Sequence, residues 1–218
     1  SLTGAGASNT AAIAFGGTAN PPIYALTEIY NGSAWTEVAD LNAGRSSMGA
    51  AGTSTAAIGF GGYNGTARVA SNETWNGSSW TETGDLNTAR SDLAAAVAGT
   101  STSTQGTGGY STTYVAINES WNGSAWTEVG DLNSARYSMA GSGTTTSALV
   151  FGGYSTAQQA LTESWNGSAW SEVADISTRY NLGGTGTSNT SALAFGGQPG
   201  TGGSSGKTEE WTGSSWTE

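Results

Sequence analysis

The 218-residue sequence contains no cysteine, no histidine, only three prolines and only six basic residues. Without cysteine the chain has no disulfide or thiolate chemistry, and without histidine it lacks the commonest general base and metal ligand. Six basic against sixteen acidic residues give a net charge of −10, which argues against a nucleic acid or an anionic membrane as partner. No apolar run approaches the ~18 residues of a membrane-spanning helix. We expect no metal site and no cofactor.

Glycine and the large aromatic residues are abundant, with 35 glycines, nine tryptophans and eight tyrosines. A disordered chain lacks this aromatic bulk, whereas an all-β protein with many tight turns has such a composition.

Five copies of one unit fill the chain at spacings of 44 to 47 residues. Each copy contains a double glycine, then an aromatic residue followed by Asn-Gly or Thr-Gly, then a tryptophan. A period near 45 residues is typical of propellers and solenoids. The double glycine begins at Gly16, Gly61, Gly108, Gly152 and Gly196; the first aromatic is Tyr30, Trp75, Trp121, Trp165 and Trp211; the second is Trp35, Trp80, Trp126, Trp170 and Trp216.

Each unit holds four short strand-like runs, here named strands a to d, separated by turn signals. In strand b, large apolar residues such as Ile58 and Phe60 alternate with the small residues Ala57 and Gly59. Each blade therefore has one face of large and one face of small side chains, and the large face of one blade can fit against the small face of its neighbour. Asn-Gly between strands c and d predicts a type I′ hairpin turn. We predict an all-β, five-bladed β-propeller of four-stranded antiparallel blades, closed into a monomeric ring. The single domain covers 1–218, with blades at approximately 1–38, 46–83, 91–129, 137–173 and 180–218.

The unit from Arg45 to Arg90 resembles the kelch repeat. In that family a double glycine ends the second strand, Glu-x-Tyr marks the third, a tryptophan marks the fourth and an arginine precedes the next blade. Here Trp replaces the family's Tyr in four of five units, and five blades replace the usual six or seven. The amino-acid sequence around Trp80 is also similar to repeats in uncharacterised marine bacteriophage proteins. These resemblances imply a binding role and a virion-associated or extracellular location.

The acidic residues follow the repeat, since fourteen of sixteen recur at equivalent positions. A catalytic pair needs two carboxylates in different environments, so this equivalence predicts a structural role and no catalytic residue. The strand c glutamates lie within an apolar stripe and need partners, which the repeated arginines can supply as one buried ion pair per junction. The glutamates are Glu28, Glu73, Glu119, Glu163 and Glu209; the arginines are Arg45, Arg90, Arg136 and Arg179. No arginine is available for one glutamate.

Other repeated residues have a structural and a functional interpretation. The strand d tryptophans either pack between blades or stack on sugars or bases. The Asp-Leu-Asn that follows strand d is interpreted as a turn in which Asp and Asn bond their own backbone. In the third unit, polar Thr104, Gln105 and Thr107 replace apolar strand b residues, either to line a water-filled channel or because that blade is degenerate.

The copies disagree most in the connections between strands b and c, the b–c loops, at 18–24, 63–68, 110–114, 154–159 and 198–207. In an antiparallel blade these loops and the d–a connections emerge on one face of the ring, so a partner is expected there around the central opening. Drift of exposed loops explains the variation equally well. The candidate ligand-binding residues are Tyr24, Tyr63, Arg68, Tyr110, Tyr114, Tyr154, Gln158, Gln159, Gln198 and Lys207.

The sequence therefore favours a non-enzymatic binding or display module for a glycan or protein at a virion or cell surface. The alternative is a purely architectural virion component without a ligand. A glycoside hydrolase is a distant third interpretation, because acids outside the repeat are nearly absent.

Overall fold

The computed structural model describes residues 2–19, 22–200 and 202–218. Ser1, which begins the first predicted blade, lies outside the described residues. So do Asn20 and Pro21 of the first b–c loop and Thr201 of the fifth. Every regular element in the described part of the chain is a β-strand, and no helix there could cross a membrane.

The strands form five four-stranded antiparallel sheets in which neighbours along the chain are neighbours in the sheet. The sheets are arranged as a five-bladed β-propeller, as predicted. Blade 1 contains β1 (Thr3–Ser8), β2 (Ala11–Phe15), β3 (Thr27–Tyr30) and β4 (Trp35–Glu37). Blade 2 contains β5 (Gly49–Thr53), β6 (Ala56–Phe60), β7 (Asn72–Trp75) and β8 (Trp80–Thr83). Blade 3 contains β9 (Ala94–Ala95), β10 (Thr104–Thr107), β11 (Asn118–Trp121) and β12 (Trp126–Glu128).

Blades 4 and 5 repeat this order, and blade 5 carries one added two-stranded ladder. Blade 4 contains β13 (Ala140–Thr144), β14 (Ser147–Phe151), β15 (Thr162–Trp165) and β16 (Trp170–Val173). Blade 5 contains β18 (Gly183–Ser188), β19 (Ser191–Phe195), β21 (Thr208–Trp211) and β22 (Trp216–Thr217). The added ladder pairs β17 (Arg179–Tyr180) with β20 (Gln198–Pro199).

Neighbouring blades interlock through the large and small faces of strand b, as the alternation predicted. Phe15 of blade 1 lies over Gly59 of blade 2, where a Cβ atom would approach the Phe15 ring to 2.7 Å. Phe60 lies over Gly106 of blade 3 in the same way, at 2.9 Å. A larger residue at either glycine would therefore push two blades apart.

The tryptophans complete the junctions between blades. The strand c set is almost fully buried, and Trp75 Nε1 donates to the Ser54 carbonyl in the a–b turn at 3.0 Å. Trp80, in strand d of the same blade 2, packs its ring on Phe15 of blade 1 at a centroid distance of 4.7 Å. Its Nε1 donates to Thr27 Oγ1 at 3.0 Å. Trp80, Trp126 and Trp170 are each about 5–6% exposed, so the packing interpretation is confirmed for these three.

The Asn-Gly hairpins differ from the predicted type I′ turn. Only the glycine has a positive φ, as at Gly77 with φ 97°, and Asn76 is not among the residues with positive φ. Asn76 Oδ1 instead accepts from the backbone N–H groups of Ser78 and Ser79 at 2.9 and 3.0 Å. The asparagine side chain thus closes a four-residue loop, which removes the need for a left-handed conformation at Asn.

The fifth junction, between blades 5 and 1, is not packed like the other four. Four hydrophobic clusters each join one pair of consecutive blades from blade 1 to blade 5. At the fifth junction Trp35 is 49% and Phe195 is 46% exposed. The predicted closure is therefore incomplete: the five blades surround a common opening, but the apolar faces of blades 5 and 1 do not meet.

Candidate ligand-binding face

The repeated arginines and glutamates form buried ion pairs in blades 2 to 5, which we call clamps. Arg45 donates from Nη2 to Glu73 Oε1 at 2.7 Å, and both side chains are at most 2% exposed. Asn42 donates to Glu73 Oε2 from its backbone N at 2.8 Å and from Nδ2 at 2.7 Å. Burial lowers the pKa of Arg45, and the Glu73 carboxylate opposes this shift. The predicted ion pairs thus form within one blade, from an arginine in the connection that precedes it.

The same clamp recurs in blades 3, 4 and 5. Arg90 pairs with Glu119, Arg136 with Glu163 and Arg179 with Glu209. Ser177 takes the place of the asparagine in blade 5, where its Oγ donates to Glu209 at 2.8 Å. Glu28 of blade 1 is exposed and has no ion pair within the described ranges, as expected from the missing arginine.

The interpretation of Asp-Leu-Asn as a turn that bonds its own backbone was wrong for both polar residues. Asn42, Asn87 and Asn133 reach the glutamate of the following blade rather than their own backbone. The aspartate remains within its own blade, where Asp85 Oδ1 accepts from the backbone N–H of Asn72 at 3.2 Å.

Three b–c loops form small hairpins on one face, and each pairs two of the predicted candidates. Tyr63 faces Arg68, Tyr110 faces Tyr114, and Tyr154 faces Gln158, in each case through an isolated antiparallel bridge. The residue after the double glycine also bridges to the residue after the repeated arginine, as Tyr154 does to Tyr137. The loop therefore lies over the d–a connection, and side chains from both segments share this face.

Five tyrosines from these segments form an arc across blades 2 to 5, which we call the tyrosine arc: Tyr63, Tyr110, Tyr137, Tyr154 and Tyr180. Ring centroids are 5.4 Å apart for Tyr110 and Tyr137, 5.6 Å for Tyr137 and Tyr154, and 5.4 Å for Tyr154 and Tyr180. Burial raises the pKa of Tyr137, with smaller contributions from Tyr154 and Asp92. The four rings from Tyr110 to Tyr180 therefore form a continuous, partly exposed aromatic surface.

Arg68 joins the first tyrosine to the rest of the arc. Its guanidinium carbon is 4.3 Å from the Tyr110 ring centroid and 6.0 Å from that of Tyr63. The side chain is exposed and forms no salt bridge in the parts of the chain that the structure describes. Stacking holds the guanidinium in place while its N–H groups point to solvent or ligand.

A central depression of about 460 Å³ is lined in part by Ser138 and Asn181, which directly follow Tyr137 and Tyr180 of the arc. Met48, Leu93, Met139 and Leu182 form its apolar floor. In blades 2 to 5 its rim carries one polar residue with positive φ per blade, at Ser47, Asp92, Ser138 and Asn181, with φ between 52° and 55°. Backbone bonds join this rim from blade to blade, from Asp92 N to Ser47 O, from Ser138 N to Asp92 O and from Asn181 N to Ser138 O, at 2.8 to 3.0 Å.

The remaining candidates do not join the arc. Tyr24 makes backbone bonds to Gly17 and Arg45 but has no ring contact within the described residues. Gln159 is used locally, since its Nε2 donates to Ser155 Oγ at 2.9 Å. Gln198 pairs with Tyr180 in the added ladder. Lys207 forms an exposed salt bridge with Glu218, away from the tyrosines.

The sequence interpretation missed Tyr137, Tyr180 and the polar rim. A signal was present, because Ser46 and Ser91 occupy the positions of Tyr137 and Tyr180 in blades 2 and 3. The repeats therefore also disagree immediately after the arginine, outside the b–c loops. Asp92 likewise departs from the repeat, and it accepts a hydrogen bond from Ser91 Oγ at 2.7 Å.

The polar strand of blade 3 does not line a channel. Thr104, Gln105 and Thr107 are at most 2% exposed, and neither polar side-chain atom of Gln105 has a hydrogen-bond partner. Thr107 Oγ1 donates to Asn118 Oδ1 at 2.8 Å. This strand is therefore a buried but polar version of its neighbours.

No group of three or more acidic side chains within 2–19, 22–200 and 202–218 is arranged to hold a metal ion. Comparison with models of known protein families finds no match, and comparison with curated proteins finds no significant relative.

Proposed function

We propose that this protein is a non-enzymatic binding module that recognises a glycan through the tyrosine arc, Arg68 and the central depression. The observation that carries the proposal is the arc itself. Its tyrosine rings contact one another, and they occupy positions at which the five copies of the repeat differ in sequence. Tyrosine suits recognition since it offers a rigid apolar ring together with a hydroxyl, at a small entropic cost.

Charge and shape favour a sugar over nucleic acid on this face. The net charge of −10 disfavours a phosphate backbone, and Arg68 is a single cation on the arc. Partly exposed rings arranged around a depression can stack on the C–H faces of sugar rings, while the polar rim can bond hydroxyl groups. A virion or cell-surface location is a proposal that rests on the resemblance to kelch and bacteriophage repeats.

The carboxylates support a binding role rather than hydrolysis. Four of the five strand c glutamates are held in equivalent clamps with arginine, so none of the four is set apart from its copies as a general acid. This interpretation would be overturned by sugar hydrolysis that a single acid-to-amide substitution abolishes.

A glycan array followed by calorimetric titration of its best ligand tests the proposal. Tyr137→Ser and Tyr180→Ser are suitable variants, because serine is the residue at the same position in blades 2 and 3. We expect each to weaken binding by about tenfold or more, as for aromatic residues central to an interface. Ser79→Ala on the opposite face is the control, since three other hairpins carry alanine there, and it should leave binding unchanged.

Two results would contradict the proposal. One is glycan binding that the two tyrosine variants leave intact. The other is a blank array together with tight binding to another virion protein, which would favour the architectural interpretation.

A further inference from the structure

The open junction exposes two apolar faces, one on blade 5 and one on blade 1. On blade 5, Leu193 and Phe195 are 41% and 46% exposed, and on blade 1 Trp35 is 49% exposed. Trp35 also lines a cavity of about 450 Å³, to which blade 5 contributes Gly184 and Thr185 and blades 2 and 3 contribute Ala50 and Val97. Among the described residues these faces hold most of the exposed large apolar side chains.

These faces carry the two halves of the junction that packs the other blades. In packed junctions the strand b phenylalanine of one blade contacts the strand d tryptophan of the next, with Phe15–Trp80 and Phe60–Trp126 centroids both 4.7 Å apart. Phe151 and Trp216 are likewise 4.8 Å apart. The blade 5 face presents a phenylalanine, and the blade 1 face presents a tryptophan.

Two of the four packed junctions also have a tryptophan–threonine hydrogen bond, whereas Trp126 Nε1 and Trp170 Nε1 have no partner. Trp216 Nε1 donates to Thr162 Oγ1 at 3.0 Å, which repeats the Trp80–Thr27 bond. Thr208 of blade 5 occupies the position of Thr162 and is exposed. Phe195 and Trp35 make no ring contact with each other, so the two faces do not complete one another.

Glu28 indicates what the missing partner contains. The four equivalent glutamates each bind an arginine that follows Asp-Leu-Asn or Asp-Ile-Ser. Neither open face has an arginine, and Glu28 has no ion pair within the described ranges. A further blade of the repeat, with the arginine that follows it, would complete both the apolar junction and the Glu28 clamp.

We propose that the open junction is a docking site for one further blade of this same repeat, followed by an Asp-Leu-Asn-x-x-Arg segment. Its strand d tryptophan packs on Phe195 and donates to Thr208. Its strand b phenylalanine packs on Trp35, and its arginine binds Glu28. The inference is independent of the glycan proposal, because none of these residues belongs to the tyrosine arc.

The test titrates a synthetic peptide with the sequence of residues 38–90 into the intact protein; this unit keeps Arg45 for its own Glu73 and ends in Arg90, which is available to Glu28. Calorimetry should detect saturable 1:1 binding, with folding of the peptide coupled to docking. We expect binding about tenfold weaker or worse for protein variants Phe195→Ser and Glu28→Gln, and for peptide variants Trp80→Ala and Arg90→Gln. Glu82→Gln, which removes one exposed carboxylate from blade 2 of the protein, is the matched control and should bind normally.

A covalent version keeps the test decisive if the free peptide aggregates. Residues 38–90 appended after Glu218 should raise the thermal midpoint and protect Trp35 from acrylamide quenching, measured against Trp35→Phe. The proposal is overturned if neither form docks or if docking ignores Phe195 and Glu28. It is also overturned if the protein alone self-associates through these faces, or is monomeric with Trp35 already protected.

Discussion

Arg90→Ala is expected to destabilise the protein strongly, because it leaves one buried carboxylate without its cation. Arg90 and Glu119 are both 0% exposed, and Arg90 also donates from Nη2 to the Gly106 carbonyl at 2.9 Å. Truncation leaves the Glu119 carboxylate buried with only the Asn87 donors, both at 2.7 Å. Breaking such a pair from one side costs about 3–5 kcal/mol. For a domain of this size, that corresponds to a lower thermal midpoint by about 6–20 °C.

The assay is urea unfolding followed by tryptophan fluorescence, with Arg90→Ala compared to wild type at pH 7. Glu28→Gln and Glu119→Gln form a matched control pair, because the two glutamates share one repeat position but only Glu119 is clamped. Glu119→Gln should be clearly destabilising and Glu28→Gln nearly neutral. The double variant Arg90→Met with Glu119→Leu should recover much of the loss, since it leaves no buried charge. An Arg90→Ala protein within about 0.5 kcal/mol of wild type, the range of ordinary surface changes, would refute this reasoning.

Two further stability predictions use residues that the repeat itself supplies as controls. Trp80→Ala should lower the free energy of unfolding by about 3–5 kcal/mol, because it leaves a cavity in the packed junction at Phe15. Trp35→Ala at the open junction should lower it by less than about 1 kcal/mol. Equal losses in urea unfolding would show that exposure does not distinguish the two tryptophans. Gln105→Leu should stabilise the protein by about 1–3 kcal/mol, because it removes two buried polar atoms without partners. Leucine is also the residue at the equivalent position of blade 4, Leu149. A lower unfolding midpoint would mean that Gln105 has a partner in solution.

Much of the fold could be predicted because the repeat constrains each blade five times. Strand alternation at Ile58 and Phe60 and the buried Glu73–Arg45 pair depend on contacts within a blade or with its immediate neighbour. The Asn42 contact could not be predicted in this way, because Asn favours local turns and nothing in its spacing points to the next blade.

The candidate site was predicted only in part, because it depends on how blades are placed in space. The b–c loops were identified from disagreement between copies, and Tyr63, Arg68, Tyr110 and Tyr154 do lie together. Tyr137 and Tyr180 link these residues because each b–c loop bridges to its d–a connection. Periodicity in the sequence alone does not reveal these bridges. The open junction was missed for the same reason, since the repeat pattern is identical whether the blades close or not.

Hydrogen–deuterium exchange with and without a bound glycan tests most directly whether function lies where the repeats disagree. Binding at the tyrosine arc should slow amide exchange in the b–c loops at 63–68, 110–114 and 154–159. The Asn-Gly hairpins on the opposite face, such as 76–79, should exchange as in the free protein. Protection confined to those hairpins, or a bound glycan that protects neither face, would contradict the account.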